Sequence, residues 1–465
     1  MSRRDLKALL FVPHPLSRIA SQLLFWELDL HFTASSDAES DHHPEPYPSA
    51  YQTAPPQCDG DARHAQRSAD ILTRIIVDNS FANAVRTLKI FAWTRDKDGS
   101  MAFQIGVQLR EFHAEQTPDP RPLFLGMLAN ALPKLINLRN VHISAMSEGI
   151  IPVLRTLQTT SPRLRGLSLK LVVLTSVFSY LEVDTLFSLP RSPDCPGDLS
   201  FLDFRHLSHL AYTINALSGT PTIHSLINQN RATLHSIALT NPYSSPQWIF
   251  PTNALSIRNL TNIFFTGHFP PTSHAFEDIL SHGRQLETFD VSCCALECSN
   301  ASMQFRSVRG ANSLPFLRHF AFSVQSIGTR TVDRDLFPAI AEFLRGRRQL
   351  KSLQLIVSEQ PVQHAVGFDA AIWGVLPSLE GLKGLKISYP SDLSPGLASW
   401  LIPRTVLALS LSIDYNTPTA GDPIPFLKVC IYFTTAFCLE FLLITFDLPA
   451  IPPGHTPFPS IHRSL

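Results

Sequence analysis

Apolar residues recur along this chain as a three-point motif, with the first, fourth and sixth positions filled and mostly small or polar residues between them. The first positions are Val85, Leu138, Leu164, Leu207, Leu234, Leu260, Leu286, Leu317, Leu350, Leu382, Val406 and Leu439. Alternation at the last two points has the period of a strand with one buried face, so each copy predicts a short strand. Between copies the spacing turns helical. Ile150, Ile151, Val153, Leu154 and Leu157 predict one helix, Phe276, Ile279 and Leu280 a second, and Leu336, Ile340, Phe343 and Leu344 a third. Phe368, Ala371, Ile372 and Val375 fall at i, i+3, i+4 and i+7, which predicts a helix over 368–375. Ile71, Leu72, Ile75 and Ile76 predict a helix from Ala69 that leads into a strand through Leu88 and Ile90. Strand, turn and helix alternate, and no single unit can cover its own apolar face, so the units must stack.

The fullest copy is GRQLETFDVSCCAL, Gly283 to Leu296, where Leu286, Phe289, Val291, Cys294 and Leu296 match L-x-x-L-x-L-x-x-C-x-L. That is the leucine-rich-repeat signature, and it expects Cys294 to close the turn after the strand. Most copies follow one another near the roughly 20–29 residues of that repeat, or slightly above. The long intervals, Val85 to Leu138 and Leu164 to Leu207, either hide a degenerate repeat or hold inserts, with 96–122 and 190–197 the expected insert regions. The expected fold class is α/β: a leucine-rich-repeat solenoid over 69–448, a horseshoe with parallel strands on the concave face and helices outside. Residues between the core positions then face the concave side. Asn140, His142, Ser144, Ser323 and Ser388 fall there, and Asn262, Phe264, Thr288, Asp290, His319, Gln354 and Lys386 are the expected target-binding set. They are mostly small, polar and nearly neutral, which suits a shape-matched protein.

Residues 1–32 precede the array. Leu6, Leu9 and Leu10 share one helical face, and after Pro13 and Pro15 a second stripe runs through Leu16, Ile19, Ala20, Leu23 and Leu24. Two short helices with a proline break are predicted, followed by strand-like alternation at Leu28 and Leu30. In order, Asp5, Leu6, Leu9, Val12, Leu16, Ile19, Ala20, Leu23, Leu24 and Leu28 follow D-L-x-x-L-x-x-V-x-x-x-L-x-x-I-A-x-x-L-L-x-x-x-L. This stretch resembles the second half of an F-box, a family often built with a leucine-rich arm. The helix near a Leu-Pro pair that opens the family's motif has no counterpart before Asp5, and Pro13 and Pro15 stand where the family carries polar residues. The resemblance implies a non-catalytic recognition subunit of a Skp–cullin-type ubiquitin ligase. Leu6, Leu9, Leu10, Leu16, Ile19 and Leu23 would contact the Skp-type adaptor, and the concave face would select a protein target. Without the resemblance, the same helices cap the first repeat, and the chain is an interaction scaffold with no ligase role.

Residues 33–68, rich in Ser, Asp, Pro and His, lack apolar periodicity and read as a disordered linker or surface loop. The tail 449–465 is rich in proline. Lys plus Arg and Asp plus Glu number 38 each, which gives no overall electrostatic footprint for nucleic acid. Seven cysteines without a C-x-x-C pair suggest reduced thiols and a cytoplasmic or nuclear protein. The run in MSRRDLKALLFV is short and close to charges, unlike a secretory signal. Residues 426–446 are strongly apolar but contain Lys428 and Glu440. A buried last helix and strand is preferred there over a membrane segment. No phosphate-loop, dinucleotide, nucleophile-elbow or zincin motif occurs, so no enzyme and no cofactor are expected. His42, His43, Cys58 and His64 lack metal-site spacing, and in the cluster of His282, Cys293, Cys294 and Cys298 structural thiols are expected rather than zinc, since Cys294 is taken up as the turn residue of the repeat. Arg345, Arg347 and Arg348 are expected on a solvated loop.

Overall fold

A computed structural model describes residues 7, 14–32, 58–92, 121–146, 150–172, 202–213, 220–241, 257–269, 274–296, 300–307, 313–328, 332–390, 392–414 and 441–447. The chain divides into two compact units, Met1–Leu234 and His235–Leu465.

In the first unit, helix α1 (His14–Leu24) precedes strand β1 (Glu27–His31), and helices α2 (Cys58–Val77) and α3 (Asn79–Ala84) precede β2 (Thr87–Ala92). Then come α4 (Arg121–Ala131), β3 (Asn140–Met146), α5 (Ile150–Thr160), β4 (Gly166–Val172), β5 (His209–Thr213) and α6 (Thr220–Asn230). The strands pair in chain order, each ladder parallel.

The second unit opens with β6 (Ser236–Asn241), β7 (Asn262–Phe269), α7 (Ala275–His282), β8 (Thr288–Leu296), α8 (Ala301–Ser307) and β9 (His319–Val324). It continues through α9 (Leu336–Leu344), β10 (Ser352–Val357), α10 (Gln360–Val366), α11 (Ala370–Trp373), β11 (Gly384–Ser388), α12 (Pro395–Leu401), β12 (Ala408–Asp414) and β13 (Phe441–Asp447). These strands also pair in order and in parallel. Successive parallel strands need a crossover, and here the intervening chain supplies it, with a helix in most of the connections.

The three-point motif explains this packing. Every first position from Val85 to Val406 is at most 2 % exposed. The residue after it donates its amide to the carbonyl of its equivalent one repeat back. Arg139 bonds to Arg86, Arg165 to Arg139, Arg318 to Glu287, Lys351 to Arg318 and Lys383 to Lys351 in this way. The ladder therefore starts before each strand, and the copies stay in step. The helices close the covered face with rings: Phe276 of α7 stacks on Phe269 at 4.3 Å and meets Phe305 at 5.2 Å and Phe322 at 5.7 Å.

Four expectations are corrected. Helix α2 starts at Cys58, inside the stretch expected to be linker and ahead of Ala69. Its polar first half is tied to β1, since Ser68 Oγ accepts from the His31 amide at 2.8 Å and lies 2.9 Å from the His31 carbonyl oxygen. The helix predicted over 368–375 is broken: Gly367 caps α10 with φ of 69°, and only Ala370–Trp373 is helical. Phe368, Ile372 and Val375 are buried as expected, but Ala371 is exposed and Trp373 is buried instead. Cys294 does not close a turn. Strand β8 runs past it to Leu296, and Cys294 is the extra residue of a bulge against β7, with Cys293 taking the buried place. Arg347, finally, is no loop residue in water. Its guanidinium donates to the carbonyls of Ser313 (2.9 Å), Leu314 (3.1 Å) and Phe343 (2.9 Å) and lies 4.0 Å from the Phe343 ring centre. Burial pushes its pKa down to about 10.

The inserts at 96–122 and 190–197 lie outside the described residues, apart from the start of α4. So do the linker from Thr33 to Gln57, the tail 449–465, and Leu6, Leu9 and Leu10. Of 426–446, only the part in β13 is described, and it pairs with β12. Among the described residues no helix is long and apolar enough to cross a membrane.

Candidate interaction surfaces

Three surfaces present candidate functional side chains. The first is helix α1. Its stripe splits in two: Ala20 is buried at 1 % exposure, whereas Leu16, Ile19 and Leu23 are 48 %, 53 % and 51 % exposed. Ala20 lies on the inner side, and the next residues fix the helix to α3. Phe25 meets Phe81 edge-on at 4.8 Å, and the Arg74 guanidinium lies over Phe81 at 4.5 Å. Three branched apolar side chains one turn apart are thereby left facing water, which costs free energy unless another surface covers them.

The second surface is the open face of the second unit. Register places Asn262, Thr288, His319, Ser352, Gly384 and Ala408 in one row. Phe264, Asp290, Ala321, Gln354, Lys386 and Ser410 form the next row. All seven residues expected to bind a target lie in these rows, and each is half-buried or exposed, while the residues alternating with them are buried. They are therefore brought together on one face. Ser144, Ser323 and Ser388 depart from expectation, for they are buried. Ser388 Oγ bonds the Val357 amide and carbonyl, each at 2.9 Å, and Ser323 Oγ donates to Ser292 Oγ at 2.9 Å. Asp290 is the notable charge here. Burial raises its pKa and the Lys386 ammonium counters part of that rise. Burial also raises the pKa of the Cys294 thiol, which leaves it a poor nucleophile.

The third surface is the open face of the first unit, which sequence reading largely missed. The ammonium of Lys89 on β2 contacts Glu27 and lies 4.0 Å from Asp29, both on β1. The hydrogen bond to Glu27 raises the Lys89 pKa most. His31 stacks on Phe91 at 4.7 Å, and Phe91 meets His142 at 5.9 Å. His142 Nδ1 is 2.7 Å from Ser168 Oγ on β4. Burial lowers the pKa of His142, helped by the Lys89 and Lys170 cations, and burial lowers that of His31. A histidine weakened as a base by two cations ties strands together better than it activates the serine. The signal was present as alternation of Glu27, Asp29 and His31 and of Lys89 and Phe91, but the grouping depends on pairing across the longest interval in the chain.

Among the described residues no three His, Cys, Asp or Glu side chains gather as metal ligands. A cleft of about 300 Å³ beside α12 is lined by Pro377, Glu380, Trp400, Pro403, Arg404 and Thr405, among others. Compared with known proteins, the chain matches no family model, and no curated protein is significantly similar to it.

Proposed function

We propose that this protein is a non-catalytic recognition subunit of a Skp–cullin-type ubiquitin ligase. In this reading the repeats form a leucine-rich-repeat horseshoe whose open face holds a protein target, and α1 docks on a Skp-type adaptor. The observation that carries the adaptor half is the ridge of Leu16, Ile19 and Leu23, half-exposed on a helix that buries the adjoining Ala20. The target half is supported by Asn262, Phe264, Thr288, Asp290, His319, Gln354 and Lys386 sharing one face in register. Holding a target near a ubiquitin-loaded enzyme acts by raising effective concentration.

A second reading, a scaffold with no ligase role, has its own support in the Phe25–Phe81 and Arg74 packing, which makes α1 a cap for the first strands. A pull-down of the tagged full chain on purified Skp-type adaptor separates the two. The ligase reading expects retention, and at least a tenfold loss in a Leu16→Asp, Leu23→Asp variant whose melting curve is unchanged because both positions already face water. A folded wild-type protein that the adaptor does not retain leaves the scaffold reading.

A further inference from the structure

The equal totals of basic and acidic residues hide a local imbalance. Arg86, Arg139 and Arg165 each stand immediately ahead of their strands, β2, β3 and β4, and the backbone joins them. The Arg139 amide donates to the Arg86 carbonyl at 2.8 Å and the Arg165 amide to the Arg139 carbonyl at 2.6 Å. Their Cα atoms therefore follow one another at the strand spacing of about 4.8 Å. Arg163, two residues before Arg165, joins this column.

The guanidinium groups are aimed by uncharged partners. Arg86 donates to the Asn137 carbonyl at 3.3 Å, Arg163 to the Asn137 side-chain oxygen at 2.8 Å, and Arg165 to the His206 carbonyl at 3.0 Å. Asn137 thus spaces two of the arginines. Burial lowers the Arg86 pKa, followed by the like charges of Arg139 and Arg163. Among the described residues none of the four forms an ion pair with a carboxylate, while Arg139, Arg163 and Arg165 are exposed. Trp26, itself exposed, lies 5.9 Å from the Arg86 guanidinium. Four like charges held together without counter-ions repel one another, and each retains donors in a fork suited to carboxylates.

We infer that this arginine column at the leading edge of β2–β4 is a docking surface for an acidic protein segment, one that lays successive Asp or Glu carboxylates along Arg86, Arg139, Arg163 and Arg165. An acidic peptide fits better than a nucleic acid. The column is short, whereas phosphate-backbone binding draws on many contacts.

The test is fluorescence anisotropy of a labelled hexaglutamate peptide with the full chain at low salt. Reversal of two exposed charges, Arg139→Glu with Arg163→Glu, is expected to weaken binding at least tenfold with the melting curve retained. Reversal of Arg345 and Arg348, exposed basic residues of the second unit, is expected to leave it within twofold. Equal losses in the two variants would reduce the binding to bulk charge and overturn the assignment. So would an undiminished affinity in the first variant. A labelled oligouridylate that binds more tightly than the peptide through the same arginines would assign the column to nucleic acid instead.

Discussion

Asp290 shows how the burial of one carboxyl group can work against the fold. It stands mid-row on the open face beside Phe264 and Ala321, and burial raises its pKa above the usual carboxylate value near 3.9. Below that value the carboxyl is protonated in both folded and unfolded chains, and nothing is lost. As pH rises, the unfolded chain gives up its proton first while the folded chain holds it, so stability falls through the interval above 3.9 and stays reduced at neutral pH. Asp290→Asn removes the ionisation. Its urea midpoint should exceed the wild type at pH 7, by under about 1 kcal/mol since water reaches part of the group, and the gap should close towards pH 3.5. A gap that is absent, or that widens in acid, would mean that burial is not what the carboxylate feels. An acid whose burial costs stability, on a face where Lys386 offsets only part of that cost, is consistent with the recognition role proposed for it.

At the scale of elements, the strands were legible in the sequence and the helices only in part. A strand motif needs its apolar points in the right order, and Val85, Leu138 and their equivalents meet it, so the rows through Asn262 and Phe264 follow, whereas Ser144, Ser323 and Ser388 near the strand ends turn inward. A helix also needs a backbone that permits it. The spacing of Phe368, Ala371, Ile372 and Val375 is helical, but Gly367 takes φ of 69° and Asp369 caps a new start by accepting from the Ala371 amide at 2.9 Å. Amphipathic spacing likewise found α1 without telling which side would be covered, because that depends on Phe81 and Arg74, far along the chain. The Gly367 break is testable against an internal control. A Cβ at Gly367 would lie 1.8 Å from the Arg334 carbonyl oxygen, whereas one at Gly346, whose φ is also positive at 77°, meets nothing within 4 Å. Gly346→Ala should cost about 1 kcal/mol from the left-handed backbone alone. Gly367→Ala should cost roughly 3 kcal/mol or more, since strain and collision add. Equal losses in chemical denaturation would remove the role given to the Arg334 contact.

At the scale of the whole molecule, the question is how far a local loss spreads. In stacked repeats each unit draws its stability from its neighbours, so damage should decay along the chain rather than unfold it at once. Phe276 is the place to apply that damage, because its ring joins α7 to β7, β8, β9 and α8 through Phe269, Phe289, Phe322 and Phe305. Phe276→Ala should cost about 3–5 kcal/mol locally. At about 1.4 kcal/mol per decade, the amides of β7, β8 and β9 should exchange with solvent roughly a hundred to several thousand times faster. Those of β2, β3 and β4, which belong to the other compact unit, should keep their rates within a few-fold. Hydrogen exchange read by mass spectrometry resolves these peptides in one experiment. Equal acceleration in both units would make the chain a single cooperative body, and a target held on one face would then report to every other. Acceleration confined to β7–β9 would make the two units separately tunable, so that the docking surfaces proposed on α1 and around Asp290 could be lost one without the other.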